Sequence, residues 1–160
     1  MRGTKDFRPM DMKAYLIDDR FWKNKMEVVR TKMIPYQWKA LNDLVEDAAP
    51  SHCVKNFRIA AGMEKGDFQG CVFQDSDLAK WLEAVGYTLA WKKDRELEQM
   101  ADEVIAVIEK AQQPDGYLDT YYIINGLEKR WTNLRDNHEL YCAGHMIEAG
   151  IAYYLGTGKH

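Results

Sequence analysis

The residues most able to do chemistry lie together in Asn137-His138-Glu139-Leu140-Tyr141-Cys142-Ala143-Gly144-His145. His138, Cys142 and His145 are spaced four and then three apart, so on a helix they share roughly one face and invite a metal. The rise of a helix opposes one ion binding all three. Residues seven apart are about 10 Å apart along the axis, whereas zinc holds its ligands at about 2.0 to 2.3 Å. Cys142 also occupies the place of the second histidine in a His-Glu-x-x-His protease, and no metal ligand is assigned to this segment. His138, in the first turn of its helix, either faces a cleft near the helix's positive end or is a surface or capping histidine. His145, deeper among Ala143, Gly144, Ile147 and Ala149, reads as a neutral histidine bonded to a backbone carbonyl, or as a support behind a substrate-contacting residue. Glu139 stands in capping-box spacing with Asp136, which gives it a supporting part too.

Of Asp75 and Asp77, one can cap the helix that follows while the other is free to accept sugar hydroxyls. Tyr117, Tyr121, Tyr122, Trp131 and Trp81 offer flat apolar faces with polar rims, which suit carbohydrate. Aromatics inside helices are more often core, so Tyr117 and Trp131, outside the helices, are the binding candidates. Gly62, Gly66 and Gly70 are spaced wrongly for a phosphate-binding loop and carry no Gly-Lys-Ser/Thr ending. No Gly-x-Ser-x-Gly nucleophile elbow occurs. No residue of the chain is assigned a catalytic role.

The elements that position these residues are helices. From Asp94 onward, Leu97, Met100, Ala101, Val104, Ile105, Ile108 and Ala111 recur at helical spacing. Leu78, Trp81, Leu82, Val85 and Leu89 repeat the pattern in a helix starting near Ser76. A third helix is expected from about Asn137 to Leu155 with Leu140, Ile147, Ile151 and Tyr154 on one side, and a fourth from about Asp19 to Met33, stopping before Pro35. Gly70-Cys71-Val72-Phe73 is the best strand candidate, and no alternating run follows it. The stretch between Gln112 and Asn137 is long for a connection and too aromatic for disorder. The fold reads as all-α, built from helical hairpins.

Composition narrows the function classes. The 160 residues are 46% hydrophobic and 29% charged, enough for one domain or part of one. Twenty-two basic against 25 acidic side chains give a net charge of −3, without the basic stripe that nucleic acid requires. No apolar run is long enough to span a bilayer, and Met1 to Asp6 lead into no apolar signal core, so a cytoplasmic protein is expected. Cys53, Cys71 and Cys142 are odd in number and far apart, which builds neither a disulfide framework nor a four-cysteine zinc site.

Four segments together resemble the start of the catalytic domain of glycoside hydrolase family 127, the β-L-arabinofuranosidases. They are Ile34-Pro35-Tyr36-Gln37-Trp38, Asn56-Phe57-Arg58-Ile59-Ala60-Ala61-Gly62, the stretch from Phe73 to Ala84 that holds Gln74-Asp75-Ser76-Asp77, and the stretch from Arg130 through His138 to His145. The last two are specific, whereas Gln113-Pro114-Asp115-Gly116-Tyr117 resembles a turn found in many α/α-barrel enzymes. The resemblance runs from about Phe21 to Lys159. It implies that residues 1–160 are the amino-terminal, incomplete portion of an (α/α)6 barrel that releases β-linked L-arabinofuranose from arabino-oligosaccharides with retention. In that family a zinc-bound cysteine is the nucleophile and a glutamate the acid/base. The resemblance places both, and the other zinc ligands, outside this chain, so they are not mapped onto Cys142 or Glu139. His138 matches a family histidine that approaches the arabinose, and is assigned to substrate binding with Asp75, Asp77, Tyr117 and Trp131.

Two other classes compete. One is a noncatalytic carbohydrate-binding or self-associating helical module, a homo-oligomer through exposed barrel faces. The other is a different α/α-barrel hydrolase or lyase acting on other polysaccharides.

Overall fold

The computed structural model describes residues 10–160, and all regular structure among them is helical. The reading of Met1 to Asp6 as lacking a signal core lies outside the described residues. Helix α1, Arg20–Val28, starts where the Asp19 carboxylate accepts from the Trp22 N–H at 2.9 Å. The helix expected to stop before Pro35 does not stop. A π-helical turn, Val29–Met33, carries the chain directly into α2, Ile34–Leu41. Proline lacks an N–H and its ring crowds the carbonyl four residues back. The wider turn, with the Ile34 N–H bonded to Val29 O, loosens the ladder where that crowding would fall. The continuation lets Trp38 pack on Trp81 at 4.5 Å, while the Trp81 indole donates to Ile34 O at 3.1 Å.

Helix α3, Cys53–Ala60, is too short to show a periodicity in sequence. It buries Cys53, Val54 and Phe57, and Asn56 holds the following loop by exchanging hydrogen bonds with the Gln69 backbone at 2.8 and 3.2 Å. The strand candidate Gly70 to Phe73 is instead a turn, closed by the Gln74 N–H on Cys71 O at 2.9 Å. Helices α4, Asp75–Trp91, and α5, Arg95–Ala111, lie where the periodicity places them, and Asp94 caps α5 through the Leu97 N–H at 3.1 Å. The long aromatic connection contains a short helix α6, Thr120–Asn125, with Asp119 as its cap.

Helix α7, Glu139–Thr157, corrects the sequence reading in one respect. Its bulky stripe, Leu140, Ile147, Ile151 and Tyr154, is exposed, and the opposite stripe, Cys142, Ala149, Ala152, Tyr153 and Gly156, is buried. Small residues win because they let α7 lie almost backbone to backbone on α4. A Cβ added at Gly156 would stand 2.2 Å from Gly86 O, and one at Gly86 only 2.5 Å from the Ala152 carbonyl carbon. The core gathers Phe57, Leu78, Val85, Val104 and Tyr153 from α3, α4, α5 and α7. The α4–α7 pair thus fixes the start of both helices, where the candidate site residues lie.

Candidate functional site

Three buried carboxylates sit where α4, α6 and α7 begin. Asp75, the first residue of α4, does not cap its own helix and is not free for a ligand. Both its oxygens serve Thr120, the backbone N–H at 2.7 Å and the hydroxyl at 2.5 Å. Burial pushes its carboxyl up to about 6, although the Thr120 bonds oppose the shift. Asp119 caps α6 by accepting from the Tyr122 N–H at 3.2 Å, while its Oδ2 is buried without a partner among the described residues. Burial first, and the Asp75 carboxylate second, push Asp119 up to about 7.

Glu139 departs from the expected capping box. The left-handed turn at His138, φ 57°, breaks the register between Asp136 and Glu139 and sends Glu139 inward, to 2% exposure. Asp136 stays outside with Arg135 and Asn133. Glu139 accepts the Tyr117 hydroxyl at 2.6 Å and the Trp131 N–H at 2.9 and 3.0 Å. Trp131 is itself left-handed, φ 67°, a conformation uncommon for a bulky residue and held by that carboxylate. Burial first, then the bond to Glu139, push the Tyr117 phenol far above its ordinary range, so it stays a donor. Trp131 meets Tyr117 edge to face at 5.2 Å, and Arg130 lies over the Tyr117 ring at 5.3 Å. Tyr117, Asp119, Arg130, Trp131, Glu139 and Ile147 line a cavity of about 490 Å³.

His138 faces elsewhere, between Phe73 at 5.4 Å and Tyr141 at 5.8 Å. From there a polar strip runs along α4. Lys80 Nζ donates to the Tyr141 hydroxyl at 2.8 Å and lies 3.9 Å from Asp77, and Gln74 Nε2 donates to Asp77 at 3.0 Å. Asp77 is raised by burial and lowered by Lys80, and it lines a second groove of about 620 Å³ with Gln37, Gln74 and Lys80. The structure therefore brings Tyr117, Trp131 and Glu139 to one cavity and His138 and Asp77 to one strip, with Asp75 buried at the Thr120 contact.

Among the described residues His145 is bonded to no backbone carbonyl. Its Nδ1 has no hydrogen-bond partner among the described residues and lies 3.2 Å from the Glu148 carboxylate. No cysteine belongs to a cluster of metal-ligating side chains among the described residues. Burial pushes Cys53 well up, and pushes Cys142 up to about 12 with Asp75 and Asp119 adding to it, while Cys71 stands exposed and apart. Asp119, Thr120 and Arg130 escaped the sequence reading. The available signal was Asp119 as a cap ahead of Thr120-Tyr121-Tyr122.

Residues 16–160 match the family described as Beta-L-arabinofuranosidase, GH127 catalytic domain. The non-reducing end β-L-arabinofuranosidase of Bifidobacterium longum subsp. longum is 40% identical over 89% of this chain and 24% of its own length. The crystal structure of Ara127N, a GH127 β-L-arabinofuranosidase from Geobacillus stearothermophilus T6, superposes with a TM-score of 0.88 at 63% identity, over 90% of this chain and 23% of that one. The GH127 β-arabinofuranosidase BT3674 does so with a TM-score of 0.80 at 29% identity, over 94% of this chain and 24% of its own. The chain spans about a quarter of the length of these relatives. The all-α class, in helical hairpins of an (α/α)6 barrel, is borne out for the part it spans.

Proposed function

The chain belongs to the GH127 β-L-arabinofuranosidase catalytic-domain family, and from that premise we propose that it supplies one wall of a glycoside hydrolase site releasing β-linked L-arabinofuranose from arabino-oligosaccharides with retention. The family match over residues 16–160 carries this reading. His138 and Asp77 contact the sugar from the polar strip, and Tyr117 with Trp131 shapes the approach. Glu139 holds Trp131 in place from behind. Retention requires a nucleophile and an acid/base flanking one bond. The resemblance assigns the zinc-bound cysteine nucleophile and the glutamate acid/base outside the 160 residues, and burial pushes the Cys53 and Cys142 thiols up, away from a thiolate nucleophile. The free cysteines suit a reducing compartment, the cytoplasm. Among the described residues no helix is long and apolar enough to cross a membrane.

Grafting the 160 residues in place of the matching quarter of the Bifidobacterium enzyme tests the reading. The chimera is expected to release arabinose from a nitrophenyl β-L-arabinofuranoside, and His138→Ala in it to lose most of that rate. The chain alone, with zinc and reductant, is expected to give no turnover. A folded but inactive chimera overturns the assignment. Thiol-sensitive turnover by the chain alone overturns the placement of the nucleophile. A second reading, a self-associating helical module, draws on the exposed stripe of α7.

A further inference from the structure

One cluster of ligating side chains lies apart from the sugar strip and the cavity. Glu83 on α4 and His145 and Glu148 on α7 each direct one ligand atom to a common point, all within 4.8 Å of one another. His145 and Glu148 are one helical turn apart, which sets them side by side on α7, with Glu148 at the exposed flank of the buried stripe. The His145 Nδ1 to Glu148 separation of 3.2 Å is close to the roughly 3.3 Å between two ligands about 2.0 to 2.1 Å from a tetrahedral ion. Glu83, its ligand atom within 4.8 Å of the other two, needs to close by at most about 1.5 Å to reach that spacing, within reach of a long side chain.

Three further observations point the same way. The His145 Nδ1 is enclosed and has no hydrogen-bond partner among the described residues. Among the described residues neither Glu83 nor Glu148 forms an ion pair with a lysine or arginine, so the imidazole is the group that both carboxylates meet. One outer support of a metal site is also present, because the Tyr87 hydroxyl donates to Glu83 at 3.1 Å, and the Tyr141 ring packs edge-on against His145 at 4.5 Å.

We propose that Glu83, His145 and Glu148 bind a first-row divalent cation of the zinc type, which ties α4 to α7. One imidazole and two carboxylates suit such an ion, and water completes the coordination. The site contains no thiolate and shares no ligand with the residues proposed to hold the sugar. Its failure leaves the glycosidase reading untouched.

The test is zinc titration of the chelator-stripped chain against a chromophoric competitor, with cobalt as the spectroscopic probe. One equivalent is expected to bind. The cobalt form should show a visible d–d band without a sulfur charge-transfer band. His145→Ala and Glu148→Gln should each weaken binding at least tenfold, and Cys71→Ser should leave it unchanged. Glu148 is exposed, so its replacement tests the site without endangering the fold. Zinc should raise the thermal midpoint of the unaltered chain and not that of Glu148→Gln. Absence of saturable binding, or binding that survives both ligand replacements, or binding lost in Cys71→Ser, overturns the site and leaves His145 and Glu148 as a surface ion pair.

Discussion

At the residue scale, the chemistry of this chain is dominated by carboxylates kept from water. Asp75 and Asp119 have their carboxyls raised to about 6 and about 7 by burial. An acid that binds its proton more tightly when folded makes the folded state relatively less stable as pH rises from its unfolded value, 3.8, to its folded one. Stability should therefore fall between about pH 4 and pH 7 and level off above, with about 1.4 kcal/mol for each tenfold gain in proton affinity as the upper bound for each group. Asp119→Asn isolates one contributor, because asparagine caps a helix as well as aspartate and carries no charge to oppose Asp75. The variant is expected to match the parent near pH 3 and to exceed it by a few kcal/mol at most near pH 7.5, as read from urea midpoints at the two values. Glu139→Gln acts differently, since it replaces an acceptor of the Trp131 N–H with a donor. It should cost about 1–3 kcal/mol at either pH and shift the Trp131 fluorescence, while an unaltered urea midpoint would show that the carboxylate does not hold that turn.

At the scale of elements, the pairing of α4 with α7 depends on two glycines. Alanine in a helix interior is normally favoured over glycine by about 1 kcal/mol. Gly150→Ala on α7, where a Cβ meets open space, should gain that amount in urea denaturation. Gly156→Ala meets Gly86 O at 2.2 Å, and backbone cannot swing aside as a side chain can. It is expected to lose about 1–3 kcal/mol despite its helical propensity, and equal stability of the two variants would refute the close crossing. The two helices and the capped α5 were legible in the sequence because their period and caps are local. Helix α3 was not, since eight residues carry too little pattern and its stability comes from Asn56 and Phe57 meeting partners distant in sequence. The run through Pro35 was hidden because the wide turn that tolerates the ring has no composition of its own. The site was legible as residue types and not as partners. Asp75 bonding Thr120 and Glu139 bonding Tyr117 join positions 45 and 22 residues apart, which no spacing rule connects.

At the scale of the whole molecule, periodicity singled out one stripe on α7, the bulky one of Leu140, Ile147, Ile151 and Tyr154. Helix packing chose the stripe of small residues and left Leu140, Ile147, Ile151 and Tyr154 between 45% and 64% exposed. Four large apolar side chains on one face of a 19-residue helix make a patch of the kind that marks an interface. In relatives roughly four times as long, the rest of the chain is available to cover the equivalent face. Purified as 160 residues, the protein has only further copies of itself to do so. Sedimentation is therefore expected to show a mass that rises with concentration. Replacing Ile147 and Ile151 together by lysine should hold the chain monomeric. Because both side chains are exposed, the monomer's unfolding midpoint should move by no more than about 0.5 kcal/mol per site. A parent chain that remains monomeric up to high concentration would show that solvent alone tolerates this face. A variant that unfolds would show that the stripe contributes to the core after all.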